Sequence, residues 1–269
     1  TGGGGVGGGG AAAAPPRPRA LRDGGGRAPS RKVLKSQMWR RMNVQNEHFM
    51  GVMVGREGWG KSHSTLTISK AVDPSFTADD VFFQPQQLLE AFDSDEYGQG
   101  DVVVLDEAGV GMGSRSWYEK DQILLNQTLQ TVRDDNMGVW FCLPRLSELD
   151  SMARGRLHAF VQIVDINRDE YALAKWKRVV PLRDERPDIL YPYPEVRDDG
   201  RMRRVERVRI NPPPSELAEA YEQRKEAFKS ELYEEAIAAY DDEEDDEKSP
   251  SEIADEIIDS GVSNYVSEH

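Results

Sequence analysis

The chain has 269 residues, 30% of them charged, and a formal net charge of −14, a length that suits one or two domains with a sizeable core. No run of about 18 apolar residues occurs, which excludes a membrane-spanning helix. A single cysteine, Cys142, excludes an internal disulfide and fits a reducing, cytoplasmic setting.

Residues 1–30 form the first segment. Eleven of the 24 glycines fall within the first 26 residues, beside Ala11 to Ala14 and Pro15, Pro16 and Pro18. That low complexity predicts a disordered tail. No apolar core follows its charges, so it does not read as a signal peptide. Arg31 to Arg41, with Arg31, Lys32, Lys35, Arg40 and Arg41, reads either as a short helix or arm touching phosphates or as a plain solvated face.

A short apolar run rich in β-branched residues then predicts a buried strand over 48–54. It opens into Gly55-Arg56-Glu57-Gly58-Trp59-Gly60-Lys61-Ser62, the Walker A spacing of Gly, four free positions, Gly, Lys and Ser. A helix follows from Ser62 to Val72 and stops at Asp73-Pro74, because proline disfavours helix in the residue before it. Glycines at 55, 58 and 60 let the backbone curl its N–H groups toward phosphate oxygens at a helix start. Lys61 would reach the β- and γ-phosphates and Ser62 would hold Mg²⁺. His63 completes the set of loop residues expected to touch nucleotide. The plainer reading is a glycine turn with a lone surface lysine.

A strand is expected over 80–84, and Pro85 then starts a short helix with Leu88, Leu89 and Phe92 on its buried stripe. Val102 to Leu105 is continuously apolar, as a central parallel strand covered on both faces should be. It ends in Asp106 and Glu107, a Walker B-like pattern. Asp106 is the expected anchor of the Mg²⁺ shell, and Glu107 either polarises water or merely caps or salt-bridges. Helical spacing predicts a core helix over 117–132. Strands follow at 138–143, with Cys142 buried inside, and at 159–165. Residues 160–166 and 171–180, joined by a three-residue polar turn, predict a hairpin. The alternation of strand and helix predicts an α/β domain over 31–211, a parallel sheet flanked by helices.

Pro181 to Pro194 reads as a surface excursion. Arg201 to Arg209 holds five arginines and reads as a basic edge strand or a nucleic-acid contact. An amphipathic helix is expected over 212–240, starting at Ser215, with Leu217, Tyr221, Phe228, Leu232 and Ala236 on one face. Residues 241–248 open with seven consecutive acids and read as a solvated linker. Ser249 to Glu252 is a capping box that starts a short helical segment over 249–269, read as a partner-docking peptide ahead of a partial helix-turn-helix. The acidity is concentrated here, with net charge −15 over 212–269 against −2 over 31–211. A low overall charge therefore does not argue against DNA as a partner of the central region.

The order of these parts resembles the RecA-like (ASCE) branch of P-loop NTPases, in which a further strand separates the two motifs and a catalytic acid follows the first. Asp106 to Gly109, Ser114 to Trp117, Leu129 to Asn136, Leu143-Pro144 and Leu149 to Arg156 resemble ATPases of the FtsK/HerA superfamily. Within it they look most like the Zot-like ATP-binding proteins of archaeal and phage-related mobile elements. That resemblance implies ATP with Mg²⁺, catalysis by Glu107 and Lys61, and a ring-forming homo-oligomer that hydrolyses ATP to move or package DNA. The alternative is an ATP-driven assembly or morphogenesis switch that binds no nucleic acid. Arg133, Arg115 and Arg145 are candidates for a residue acting across a subunit interface. The chain departs from the superfamily where the strand after Asp106 commonly ends in a polar amide, since Phe141 to Pro144 offers none and Arg145 is the candidate substitute.

Overall fold

The computed structural model describes residues 28–94, 96–106, 136–149, 151–167, 170–182 and 188–246. The expectations for residues 1–27, the helix over 117–132 and the segment over 249–269 lie outside the described residues. The chain divides into two compact units between Tyr221 and Glu222.

In the first unit, seven strands form one sheet: β1 (Phe49–Val54), β2 (Val81–Phe82), β3 (Val102–Leu105), β4 (Gly138–Leu143), β5 (Ala159–Asn167), β6 (Tyr171–Arg178) and β11 (Val208–Ile210). Their spatial order is β11-β6-β5-β1-β4-β3-β2. The five from β5 to β2 run parallel, and β6 and β11 pair antiparallel at one side. Every residue of β1, β3 and β4 is buried, as expected when both faces of a parallel sheet are covered. The sequence places β2 between the two motif strands, but in the sheet β2 lies outside β3. The strand that separates β1 from β3 is β4.

Successive side chains of a strand point to opposite faces, and the two faces have different covers. Met50, Val52, Val54, Val103, Leu105, Val139, Phe141 and Leu143 share a core with Leu88 of α4 (Pro85–Asp93) and Ala153 of α5 (Ser151–Arg156). The opposite face meets α3 (Lys61–Val72), whose Leu66, Ile68 and Val72 are fully buried; each such side chain contributes about 1.5–3 kcal/mol. Asp73 ends α3 and turns its carboxylate to the backbone N–H groups of Ser75 and Val102, which fixes the start of β3.

Basic residues 31–41 are helical, within α1 (Ala28–Leu34), a π-helical turn over Lys35–Trp39, and α2 (Arg40–Asn43). The anchor is apolar: Val33, Met38 and Met42 are wholly buried. Arg41 pairs with Glu47 and Lys32 with Asp198.

The expected hairpin is β5 and β6, with a register shift between Ile163 and Asp165. Residues 180–204 hold two further ribbons, β7 (Val180–Pro181) with β8 (Ile189–Leu190), and β9 (Glu195–Asp198) with β10 (Arg201–Arg204). The arginine-rich run is thus split. Its first half is a ribbon strand exposed along its length, and its second half is the sheet-edge strand β11. Helix α6 (Ser215–Asp246) runs six residues beyond the expected end, through acids read as linker. Among 241–246 there is no glycine or proline to stop it.

Candidate functional site

The carboxyl end of β1 opens into the Gly55–Ser62 loop. Gly58 and Gly60 have φ of 71° and 73°, the left-handed region that L side chains rarely adopt. Gly60 in that conformation is the N-cap of α3, and its carbonyl accepts the first intrahelical bond from Ser64 at 2.9 Å. The loop is closed at its root by Trp59 N–H donating to the Arg56 carbonyl at 3.2 Å, with the Arg56 guanidinium 5.0 Å above the Trp59 ring. Lys61 bends back over this loop, and its ammonium donates to the Gly55 and Arg56 carbonyls at 3.1 and 3.3 Å.

Asp106 follows β3 and is 1% exposed. Its backbone N–H donates to the Phe82 carbonyl, which holds it at the head of the sheet. One carboxylate oxygen accepts from the Ser62 hydroxyl at 3.1 Å, and the other accepts from the Tyr221 hydroxyl. The two sequence motifs therefore meet. The Tyr221 ring sits edge-on to His63 at 5.9 Å and tilted against Phe83 at 6.2 Å. Burial, then the nearby Asp106 charge, pushes the Tyr221 phenol well above its ordinary range, so it stays a donor. Cys142 lies beside them, 3.2 Å from the Thr65 hydroxyl, and burial raises its thiol in the same way.

A cleft of about 680 Å³ flanks the loop, lined among others by Gly55, Arg56, Glu57, Trp59, Arg145 and Gln162. Arg145 follows β4 and is exposed at this cleft, beside the loop though far from it in sequence. Past it, Glu148 is half-buried, and one of its carboxylate oxygens has no hydrogen-bond partner among the described residues. Burial raises its pKa, opposed by a backbone bond from Arg145 and by the charges of Arg145 and Lys61. The structure thus brings Lys61, Ser62, His63 and Asp106 together and sets Gly55, Arg56, Glu57, Trp59 and Arg145 along one cleft. Glu107, Arg115 and Arg133 lie outside the described residues.

The oxygen-only pair of Ser62 and Asp106 fits a hard divalent cation such as Mg²⁺. Among the described residues no three His, Cys, Asp or Glu side chains group as a metal cage. Such a site would leave most positions to water and phosphate oxygens, as Mg²⁺ sites usually do.

Sequence reasoning missed Tyr221 as part of the site. It read the residue as one member of an apolar helix face, and nothing local marks a tyrosine whose hydroxyl finds a partner 115 residues away.

No family model matches the chain, and no curated protein does. Among solved structures, it is similar to the N-terminal domain of zonular occludens toxin from Neisseria meningitidis at 15% identity. The match covers 48% of this chain and 83% of that one, with a TM-score of 0.28. It is also similar to the AAA domain of FIGL-1 in complex with ADP at 15% identity, covering 55% of this chain and 56% of that one, with a TM-score of 0.34. At these values neither likeness bears on the chemistry of this chain. The α/β P-loop fold stands on the sheet order and on the loop and acid at its head.

Proposed function

We propose that this chain binds a nucleoside triphosphate with Mg²⁺ and hydrolyses it to move or package DNA. One observation carries the reading. Ser62 and Asp106, 44 residues apart, meet at 3.1 Å at the head of a parallel sheet, beside a loop curled by two left-handed glycines. Ligands of open α/β sheets bind there, outside the carboxyl ends of the strands.

In this reading Lys61 leaves the loop carbonyls for the β- and γ-phosphates, and the Ser62 hydroxyl turns its oxygen to the metal while still donating to Asp106. A bound Mg²⁺ would neutralise phosphate charge. Glu107 orients the water that attacks in line. One of Arg115, Arg133 and Arg145, from a neighbouring copy in a ring, stabilises the transition state, a contribution of about 10³ to 10⁵ in rate. ATP, the ring and the FtsK/HerA and Zot-like assignment rest on the sequence resemblance. The exposed arginines of β10 suit phosphate contacts, which position DNA without reading its sequence.

The test is ATP turnover with and without duplex DNA across a salt titration, beside the mass of the assembled state. Stimulation that falls steeply with salt supports the motor. Turnover indifferent to DNA at low salt overturns it in favour of the assembly switch, which the net charge of −15 over 212–269 also suits, since that segment repels DNA. No calorimetric heat with Mg·ATP would sink the nucleotide reading itself.

A further inference from the structure

We infer that Tyr221 is the positioning residue of the Asp106 carboxylate: its hydroxyl holds one oxygen so that the other stays aimed at Ser62. The inference rests on the nucleotide reading above.

The hydroxyl is firmly placed. Tyr221 is 1% exposed, in the second turn of α6. The residues that fix its ring, His63 and Phe83, come from the first turn of α3 and from the segment after β2. The chain entering α6 is tied to the same helix, because the Thr67 hydroxyl donates to the Asn211 carbonyl at 2.8 Å. Leu217, one turn earlier in α6, is also buried. The hydroxyl therefore sits at a point set by three separate elements.

The carboxylate needs such a partner. Asp106 is buried, and a buried charged oxygen without a hydrogen bond is costly. The terminal torsion of an aspartate is broad, with no sharp staggered wells of its own. Ser62 holds one oxygen, with the Cys142 thiol also against the carboxylate, and the Ser62 hydroxyl has to turn its own oxygen to a cation while it goes on donating. The Tyr221 hydroxyl, which also faces Ser62, has no cation to take in this reading. A phenylalanine would fill the same space against His63 and Phe83, so the hydroxyl is the part that acts on Asp106.

Tyr221→Phe keeps the ring and removes the hydroxyl, with its bond to Asp106 and its approach to Ser62. Nucleotide affinity is measured by calorimetry with ADP, with and without Mg²⁺, together with the thermal midpoint. The expected result is an unchanged Mg²⁺-free affinity and a midpoint near that of the wild type. The gain in affinity on adding Mg²⁺ falls about ten- to a hundred-fold, the range for a lost hydrogen bond to a charged group. Ser62→Ala loses the same gain, and the double variant is expected to be no worse than Ser62→Ala, since both act on one carboxylate. A full Mg²⁺ gain in Tyr221→Phe, additivity with Ser62→Ala, or a variant that unfolds would each overturn the inference. So would tighter Mg²⁺ binding, which would make Tyr221 a plug. A wild type with no Mg²⁺-dependent binding at all would overturn the nucleotide reading along with it.

Discussion

At its amino end β1 starts against His158, and at its carboxyl end it opens into the Gly55–Ser62 loop; the two ends handle buried polar atoms differently. At the amino end Met50 N–H donates to His158 Nδ1 at 2.9 Å, and Arg41 Nε donates to the His48 carbonyl at 2.6 Å. His48 and His158 meet edge-on at 5.0 Å, and Phe49, Trp140 and Trp176 fill the space behind. These polar contacts run to backbone and are sealed by aromatic rings. At the carboxyl end the partners are exchangeable: an ammonium on two carbonyls and a hydroxyl on a carboxylate. Phosphate oxygens and a cation can take those places without unfolding anything. One strand thus has a closed pole that holds the sheet and an open pole that can bind.

The sharpest way to break this division is Lys61→Ala. We expect nucleotide binding measured by calorimetry to vanish while the thermal midpoint stays near wild type, because among the described residues the ammonium's hydrogen bonds go to carbonyls of its own loop. A large fall in stability would make the loop part of the scaffold. The next largest effect falls on Glu107→Gln. Binding should persist while turnover drops by about 10² to 10⁴; undiminished turnover would remove Glu107 from the chemistry.

The open pole was legible in sequence because its signals are local. Strand, glycine loop, lysine and helix start are contiguous from Phe49 to Val72, and Asp106 closes its own apolar run. What depends on crossovers was not legible. Nothing in residues 80–84 says that β2 joins the outside of β3 while β4 enters between the motif strands. Tyr221 was hidden for the same reason, since only folding brings α6 to Asp106. One miss had a signal. Asp199-Gly200, both with positive φ, is a two-residue hairpin turn, but the arginines around it drew the reading toward charge rather than pairing.

The closed pole should respond in the opposite sense. Gly51 lies in β1, and a Cβ there would come within 2.5 Å of Trp140 Cζ3 and 2.9 Å of Phe49 Cε1. Gly51→Ala overpacks the core and should cost about 1–3 kcal/mol, read by urea denaturation, with nucleotide affinity retained in the folded fraction. Lost affinity at unchanged stability would mean that the two ends of β1 are not separable.

The most gradual effect is a pH dependence. Desolvation, with the charges of Arg41 and His48 nearby, lowers the His158 imidazole to about 3 from its ordinary 6.5. The folded value lies below the unfolded one, so the fold keeps the neutral ring and the unfolded chain takes the proton. The His158 contribution is therefore complete above about pH 6.5 and is lost as pH falls toward 3. The slope from this one group is at most about 1.4 kcal/mol per pH unit. His158→Asn keeps an acceptor for Met50 N–H but cannot titrate. It should be less stable at neutral pH, for lost contact with His48 and Phe49, yet its stability should fall less steeply as pH is lowered from about 6 to about 4. Other groups titrate in both proteins, so the difference between the two slopes isolates His158. Parallel slopes would mean that the imidazole gains a proton in the folded state, and the amino end of β1 would then be less closed than its packing indicates.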